Sequence, residues 1–330
     1  MMQFELAPLE GITGYVYRNA YHKHYRPMAR YYAPFLSPKT GARFSSREKN
    51  DILPEHNQGI HLIPQILAKD ASLFLGAADF LKNYGYTEVN LNLGCPSPTV
   101  TAKGKGAAML QDAKKLDAFL DTICNGLEAR GMHLSVKTRI GFSDAENFPA
   151  LLAVYSQYPL TELIIHPRIR DEFYGKTPHA DAFLYAASHS ILPLSYNGDI
   201  TNRKSFTQLM EACPTLSCIM LGRGLLTAPW LAESLRALSS ASFESPSPAA
   251  QKARLRAFHD TLLSGYAAIL SGDQPVLAKM KEVWFYMGAL FSENEKYMKE
   301  LRKSKRLRDY QTVVDGIFSN LPFDADFCKK

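Results

Sequence analysis

Short apolar runs recur along the first two-thirds of the chain, and each is followed by a stretch with helical spacing. The runs at 4–8, 28–33, 61–66, 87–92, 133–138, 162–166, 192–196 and 218–221 have the length and composition of strands. The stretches at 15–24, 71–84, 112–129, 148–158, 180–189, 203–212 and 229–238 place apolar residues three and four apart, as helices do. The crossover at 43–55 fits least well, because Pro54 interrupts it. Alternating strands and helices predict an α/β fold with a parallel sheet. Eight repeats of the unit predict closure into a (β/α)8 TIM barrel, with an open doubly wound sheet as the alternative.

Glycine placement argues against the open dinucleotide-binding sheet, since no early strand leads through GxGxxG into a helix. Gly104-Lys105-Gly106 lacks the spacing and the terminal Lys-Ser/Thr of a phosphate-binding P-loop. Serine, proline and alanine dominate 237–250, which predicts a linker there. Helical spacing resumes at 249–271, 275–287, 293–304 and 307–319. The expected organisation is a catalytic barrel over 1–240 and a C-terminal helical bundle domain over 241–330, the tail after Pro322 fraying.

Composition narrows the class. Hydrophobic residues make up 46% and charged residues 21% of 330, enough apolar chain for a large core. No run approaches the roughly 18 apolar residues of a membrane span, and the start does not read as a signal peptide. The five cysteines form no CxxC pair and no zinc-spaced cluster, so the expectation is a cytoplasmic protein with reduced thiols and no metal. A monomer is expected, because no partner interface stands out. The formal charge of +6 permits a polyanionic partner.

Candidate chemistry collects where the strand-like runs stop. Asn92-Leu93-Gly94-Cys95-Pro96 sets a cysteine between glycine and proline; by itself it is either a presented thiol or a buried structural one. Lys137-Thr138-Arg139, His166-Pro167-Arg168, Asn197-Gly198-Asp199 and Gly222-Arg223-Gly224 end four later runs. Polar groups at successive strand ends are how a barrel of this kind builds an active site.

In this order, these tracts resemble those of the tRNA-dihydrouridine synthase family, flavin enzymes with a barrel and a C-terminal helical domain. Ala7-Pro8-Leu9-Glu10-Gly11 is similar to the family's opening motif, and the tract from Lys279 to Tyr286 is similar to its helical domain. Pro167 departs from the glycine many members carry between the histidine and the arginine. The resemblance implies FMN, reduced by NADPH or NADH, and saturation of the uracil C5–C6 bond of a uridine in folded tRNA. It implies hydride delivery to C6 and Cys95 as proton donor to C5 from the opposite face. A thiol with an ordinary pKa of about 8.5 is mostly protonated at neutral pH, which suits an acid; the alternative, a covalent nucleophile, would prefer a lowered one.

The resemblance further implies Lys137 at the pyrimidine end of the flavin. Gln65 is expected to bond a flavin carbonyl and ring N–H through its amide, Asn92 to position either flavin or uracil, and His166 to contact the flavin ring or its phosphate side. Asn197, Gly198, Asp199, Gly222 and Arg223 are expected around the cofactor, with phosphate recognition after strands seven and eight. Pro8 and Leu9 are expected to shape a pocket edge. Lys103, Lys105, Arg139, Arg168, Arg170 and Lys176 surround the expected mouth and are read as RNA contacts. Tyr174 either stacks or packs there. Lys299, Arg302 and Arg306 are expected to share one helical stripe facing RNA phosphates. The competing functions are flavin-dependent reduction of a small pyrimidine or of ribosomal RNA, and an RNA-binding relative without catalysis.

Overall fold

The computed structural model describes residues 2–25, 27–41, 43–239 and 246–329, so part of the expected linker, 240–245, lies outside the described residues. Two compact units are present. One comprises Met1–Pro8, Ala29–Asp199 and Leu209–Met220; the other comprises Leu9–Met28, Ile200–Gln208 and Leu221–Lys330.

The first unit carries the sheet. Its strands are β1 Gln3–Leu6, β2 Arg30–Tyr32, β3 Leu62–Ile63, β4 Gln65–Ile66, β5 Glu88–Leu93, β6 His133–Gly141, β7 Leu160–Ile169, β8 Leu194–Tyr196 and β9 Cys218–Leu221. They run in the order β3-β2-β1-β9-β8-β7-β6-β5-β4. β3 pairs in parallel with β2, and β4 with β5. Pro64, which has no N–H to donate, splits one strand into β3 and β4. Its carbonyl still accepts from Asn90 N at 2.9 Å. The run from 62 to 66 therefore bonds on both sides, and eight strands close into a (β/α)8 barrel.

Strand periodicity sorts the side chains. On β5, Val89, Leu91 and Leu93 alternate with the buried Asn90 and Asn92. On β6, Leu134, Val136 and Thr138 alternate with Ser135, Lys137 and Arg139, and Thr138 meets Tyr155 of the helix Phe148–Tyr155. Apolar residues thus face the helices, and much of the barrel interior is polar. Ala7, Tyr32, Ile63, Ile164 and Met220 form one buried apolar cluster. Two residues earlier on their strands, Glu5, Glu162 and Cys218 bring their ligand-type atoms within 4.8 Å of one another below it. Arg30 lies 2.7 Å from Glu5 and 3.4 Å from Glu162, and Tyr32 donates to Glu162 at 2.7 Å. Burial, the largest cause, raises the pKa of both carboxyls.

The outer helices form where caps and apolar faces coincide. Asp70 caps Ala71–Lys82, and Asp112 caps Ala113–Glu128 by accepting from Lys115 N at 3.1 Å. The weak crossover resolves into Ser46–Ile52, closed by a Ser45–Glu48 capping box, and a 3-10 turn that begins at Pro54.

In the second unit, Tyr17 and Tyr25 of the N-terminal segment pack edge-on against Phe258 of the helix Pro248–Ile269. Arg254 of that helix holds Glu233 through two bonds of 2.7 and 2.6 Å. Trp284 Nε1 donates to Tyr310 Oη at 2.8 Å, and Tyr310 lies 2.6 Å from His259 Nε2. The tail after Pro322 is anchored, contrary to the expected fraying. Phe323 bridges Phe291 and packs on Trp230, Asp324 N bonds Leu290 O at 2.9 Å, and Cys328 is buried. The basic stripe is also divided. The helix Glu295–Lys303 stops at Ser304, whose hydroxyl donates back to Glu300 O. Lys299 and Arg302 share it, whereas Arg306 sits at the N-cap of Leu307–Asn320 and pairs with Asp309 at 3.0 Å.

Candidate active site

The loop after β5 is built around Asn92. Its Oδ1 accepts from Gly94 N at 3.1 Å and Cys95 N at 2.9 Å, a turn that sets the thiol just beyond the strand end. Because both partners are N–H groups, the atom facing them must be oxygen, and the amide NH2 points the other way. It donates to Gln65 Oε1 at 2.7 Å; Gln65 Nε2 then donates to Asn90 Oδ1 at 2.7 Å, and Asn90 Nδ2 to Ser135 Oγ at 3.0 Å. One backbone turn therefore fixes the orientation of three amides inside the barrel. Gln65 is fully enclosed, its amide held between Asn92 and Asn90. Asn90 and Ser135 were not singled out in the sequence. Their signal was an inward period of two: Asn90 with Asn92, Ser135 with Lys137.

Beyond Cys95 the loop folds back. Ala107 N donates to Cys95 O at 3.1 Å. Gly106 lies at φ +59°, and a Cβ there would stand 2.9 Å from Cys95 O, so glycine is required.

Lys137 is the register partner of Asn92 on the adjacent strand. It is half-buried, and no carboxylate among the described residues pairs with it. Burial pushes its ammonium down to about 7, and Arg139 adds to the fall. Cys95 is within electrostatic reach of both Lys137 and Arg139. A thiolate at Cys95 would be stabilised by these cations.

Arg139 and Arg168 differ from expectation. Arg139 was read as an RNA contact, yet it is buried and gives its guanidinium to three carbonyls: Gly94 at 2.9 Å, Ile169 at 2.8 Å and Phe173 at 2.8 Å. Phe173 holds φ at +49°, a strained conformation for a bulky residue, while its carbonyl meets Arg139. Arg168 is equally buried; it donates to Lys176 O at 2.6 Å and pairs through both terminal nitrogens with Asp199. Asp199, expected beside the cofactor, serves there as the counter-charge. Arg168 also lies 3.0 Å from His166 Nε2. Guanidinium only donates, so that nitrogen accepts and the ring's proton is on Nδ1. Tyr174, about half exposed, stacks on His166 and lies beneath Arg139.

The remaining expected residues are scattered in character. Lys103 and Lys176 are exposed, while Lys105 is half-buried and donates to Ser37 Oγ at 3.1 Å. Arg170 bonds within the cysteine loop. Asn197 braces β9 by donating to Met220 O at 2.8 Å. A Cβ on Gly198 would fall 2.2 Å from the Tyr196 hydroxyl, so only glycine fits. Pro8 is half-buried past β1. Leu9, Gly222 and Arg223 belong to the second unit, where Gly222 caps Arg223–Thr227. Lys299, Arg302 and Arg306 are exposed in that unit.

Comparison with known proteins bears on this arrangement. A sequence model of the family described as Dihydrouridine synthase (Dus) matches residues 5–320. The chain is 26% identical over 249 residues to the tRNA-dihydrouridine(16) synthase of Cupriavidus necator, covering 73% of this chain and 76% of that protein. It is 27% identical over 238 residues to the probable tRNA-dihydrouridine synthase 2 of Bacillus subtilis, covering 70% and 71%. Among solved structures, a variant of NCR from Zymomonas mobilis superposes with a TM-score of 0.51 at 13% identity, over 72% of this chain and 87% of that one, a likeness of fold.

Proposed function

The chain belongs to the dihydrouridine synthase family, and from that premise we propose that it reduces one uridine of a folded tRNA to 5,6-dihydrouridine, with Cys95 as the proton donor. The observation that carries this reading is the pairing of a thiol loop, fixed by Asn92, with Lys137 on the next strand, an amine that no carboxylate among the described residues pairs with.

The residues present fit FMN. A half-buried cation without a carboxylate partner is costly unless an electron-rich group comes to it. Lys137 would hold the flavin's pyrimidine side, with Asn92 and His166 near it in the barrel mouth. When bound, FMN, reduced by NADPH or NADH, supplies the hydride that saturates uracil at C6. The protein's share is position and charge. Asn92 and Gly106–Ala107 fix the Cys95 backbone, so the thiol meets C5 from one side. Lys137 and Arg139 stabilise the thiolate that remains. His166, with its proton on Nδ1, keeps a donor directed away from Arg168.

RNA contact falls to the exposed cations. Lys103 and Lys176 of the barrel unit, and Lys299 and Arg302 of the helical unit, are exposed, and these are the cations we assign to phosphate contact. A uridine in folded RNA must leave its stack, at a cost of a few kcal/mol that such contacts offset.

The test is direct. Purified protein loaded with FMN is incubated with unmodified tRNA and NADPH, and dihydrouridine is mapped by mass spectrometry of RNA fragments. One new reduced uridine is expected, and Cys95→Ala should retain FMN while losing nearly all product. Product from Cys95→Ala at the unaltered rate would remove the acid assignment. No product, with FMN still reducible by NADPH, would move the substrate to ribosomal RNA or a small pyrimidine.

A further inference from the structure

Three consecutive carbonyls around the thiol each receive a donor. Gly94 O accepts from Arg139 Nε at 2.9 Å, Cys95 O from Ala107 N at 3.1 Å, and Pro96 O from Arg170 Nε at 3.2 Å. Arg170 reaches further along the same loop, where its Nη2 donates to Thr101 Oγ1 at 3.1 Å. Its third nitrogen pairs with Asp171 at 2.9 Å. The guanidinium lies 5.1 Å from the Phe142 ring and 5.2 Å from the Phe173 ring. Arg139 ties the same two segments together, through Gly94 on one side and Ile169 and Phe173 on the other. Two guanidinium groups thus join the loop of Cys95 to the segment after β7.

We propose that Arg170 is a positioning residue for uridine reduction, acting through Cys95 by clamping its loop at Pro96 and Thr101. The proposal rests on the reading of Cys95 as proton donor. Every nitrogen of the Arg170 guanidinium has a partner, and its charge is offset by Asp171, so an RNA phosphate would have to displace existing bonds to use it. The clamp uses the planar fork: Nε and Nη2 hold Pro96 O and Thr101 Oγ1 in one fixed geometry, whereas a lysine ammonium is a single rotatable point charge on a flexible stem. Proton transfer to a carbon held opposite the flavin is sensitive to small displacements, and about 1 Å of misplacement costs on the order of 10²-fold in rate.

The experiment compares wild type, Arg170→Met, Arg170→Lys, Cys95→Ala and the double variant Cys95→Ala/Arg170→Met, all FMN-loaded and checked for thermal unfolding. Methionine keeps an unbranched apolar side chain near the Phe142 and Phe173 rings. Each enzyme is reduced first and then mixed with unmodified tRNA in a single turnover. The rate at saturating tRNA should fall about 10–100-fold in both single Arg170 variants, with half-saturating tRNA and flavin reduction by NADPH unaltered. In the Cys95→Ala background Arg170→Met should add no further loss, because the residue acts through the thiol. A weaker tRNA affinity at an unaltered rate would make Arg170 an RNA contact and overturn the proposal. So would an equal loss with and without Cys95, or full activity in Arg170→Lys. If Cys95→Ala alone keeps the wild-type rate, the acid assignment fails instead. Iodoacetamide labelling of Cys95, followed by peptide mass spectrometry, then decides the clamp by itself. A changed labelling rate in Arg170→Met supports it, and an identical one overturns it.

Discussion

Lys137 carries a charge at a place that disfavours it, and that gives a pH signature. Its ammonium titrates near 7 in the folded protein, against an ordinary value near 10.5. Below 7 both folded and unfolded chains hold the proton. Between 7 and 10.5 the unfolded chain holds a proton that the folded one has released, so stability rises with pH across that window. Urea unfolding of the flavin-free protein at pH 6.5 and 9 should show this rise, and Lys137→Met should flatten it; an equal rise in the variant would assign the effect elsewhere. Lys137 and Cys95 were legible as candidates because each interrupts an apolar run at its end. Arg139 and Arg168 were read with the same logic and given to RNA. Nothing in a one-dimensional pattern distinguishes an arginine facing solvent from one turned back onto carbonyls, since both follow a strand and precede a loop.

At the scale of elements, alternation within β5 and β6 organises the site. A period of two places Asn90, Asn92, Ser135 and Lys137 inside, and the amides then orient one another through Gln65 of β4. Gln65→Leu should leave both Asn92 Nδ2 and Asn90 Oδ1 without a partner. Each orphaned buried group costs about 1–3 kcal/mol, so denaturant unfolding should register a loss of roughly 2–5 kcal/mol together with slower turnover. A loss below about 1 kcal/mol would show that the chain of amides is dispensable. The helix Glu295–Lys303 supports a second prediction. Neutralising Lys299 and Arg302 together should reduce the slope of log affinity for tRNA against log salt by about 1–2, while FMN content stays constant. Arg306→Gln should have a smaller effect, because that arginine starts another helix and is paired with Asp309. The sequence showed seven basic residues from Lys296 to Arg308 but not the break at Ser304. Both helices have adequate propensity; the break comes from a side-chain bond to Glu300 O and from the pairing of Leu307 N with Asp273 at 2.8 Å, a residue 34 positions away.

At the scale of the whole molecule, buried polar groups distinguish each unit's interior. In the helical unit, Tyr310 Oη accepts from Trp284 and sends its own proton to His259 Nε2, leaving Nδ1–H for Asp260 at 2.8 Å. Tyr310→Phe should strand two buried nitrogens and lower stability by about 2–4 kcal/mol, measured by denaturant unfolding; a change within 0.5 kcal/mol would deny the network a structural role. In the barrel floor, the raised carboxyls of Glu5 and Glu162 mean that the folded chain keeps a proton the unfolded chain gives up. Their contribution therefore falls as pH rises above the ordinary carboxylate range. Glu5→Gln should gain relative to wild type between pH 5 and pH 8, and a difference independent of pH would place the proton elsewhere. The sequence by itself determined the barrel, its strand ends and the family, because strand and helix periods and strand-end motifs are local in the chain. Tertiary structure decided what those residues do with their charge. The grouping of Leu9–Met28 with the C-terminal helices, the anchoring of Phe323, the commitment of Arg139, Arg168 and Arg170 to backbone and carboxylate, and the upward shift of the Glu5 carboxyl all depend on groups far apart in sequence. Burial sets their protonation and hydrogen bonding, and burial exists only once the chain has closed around them.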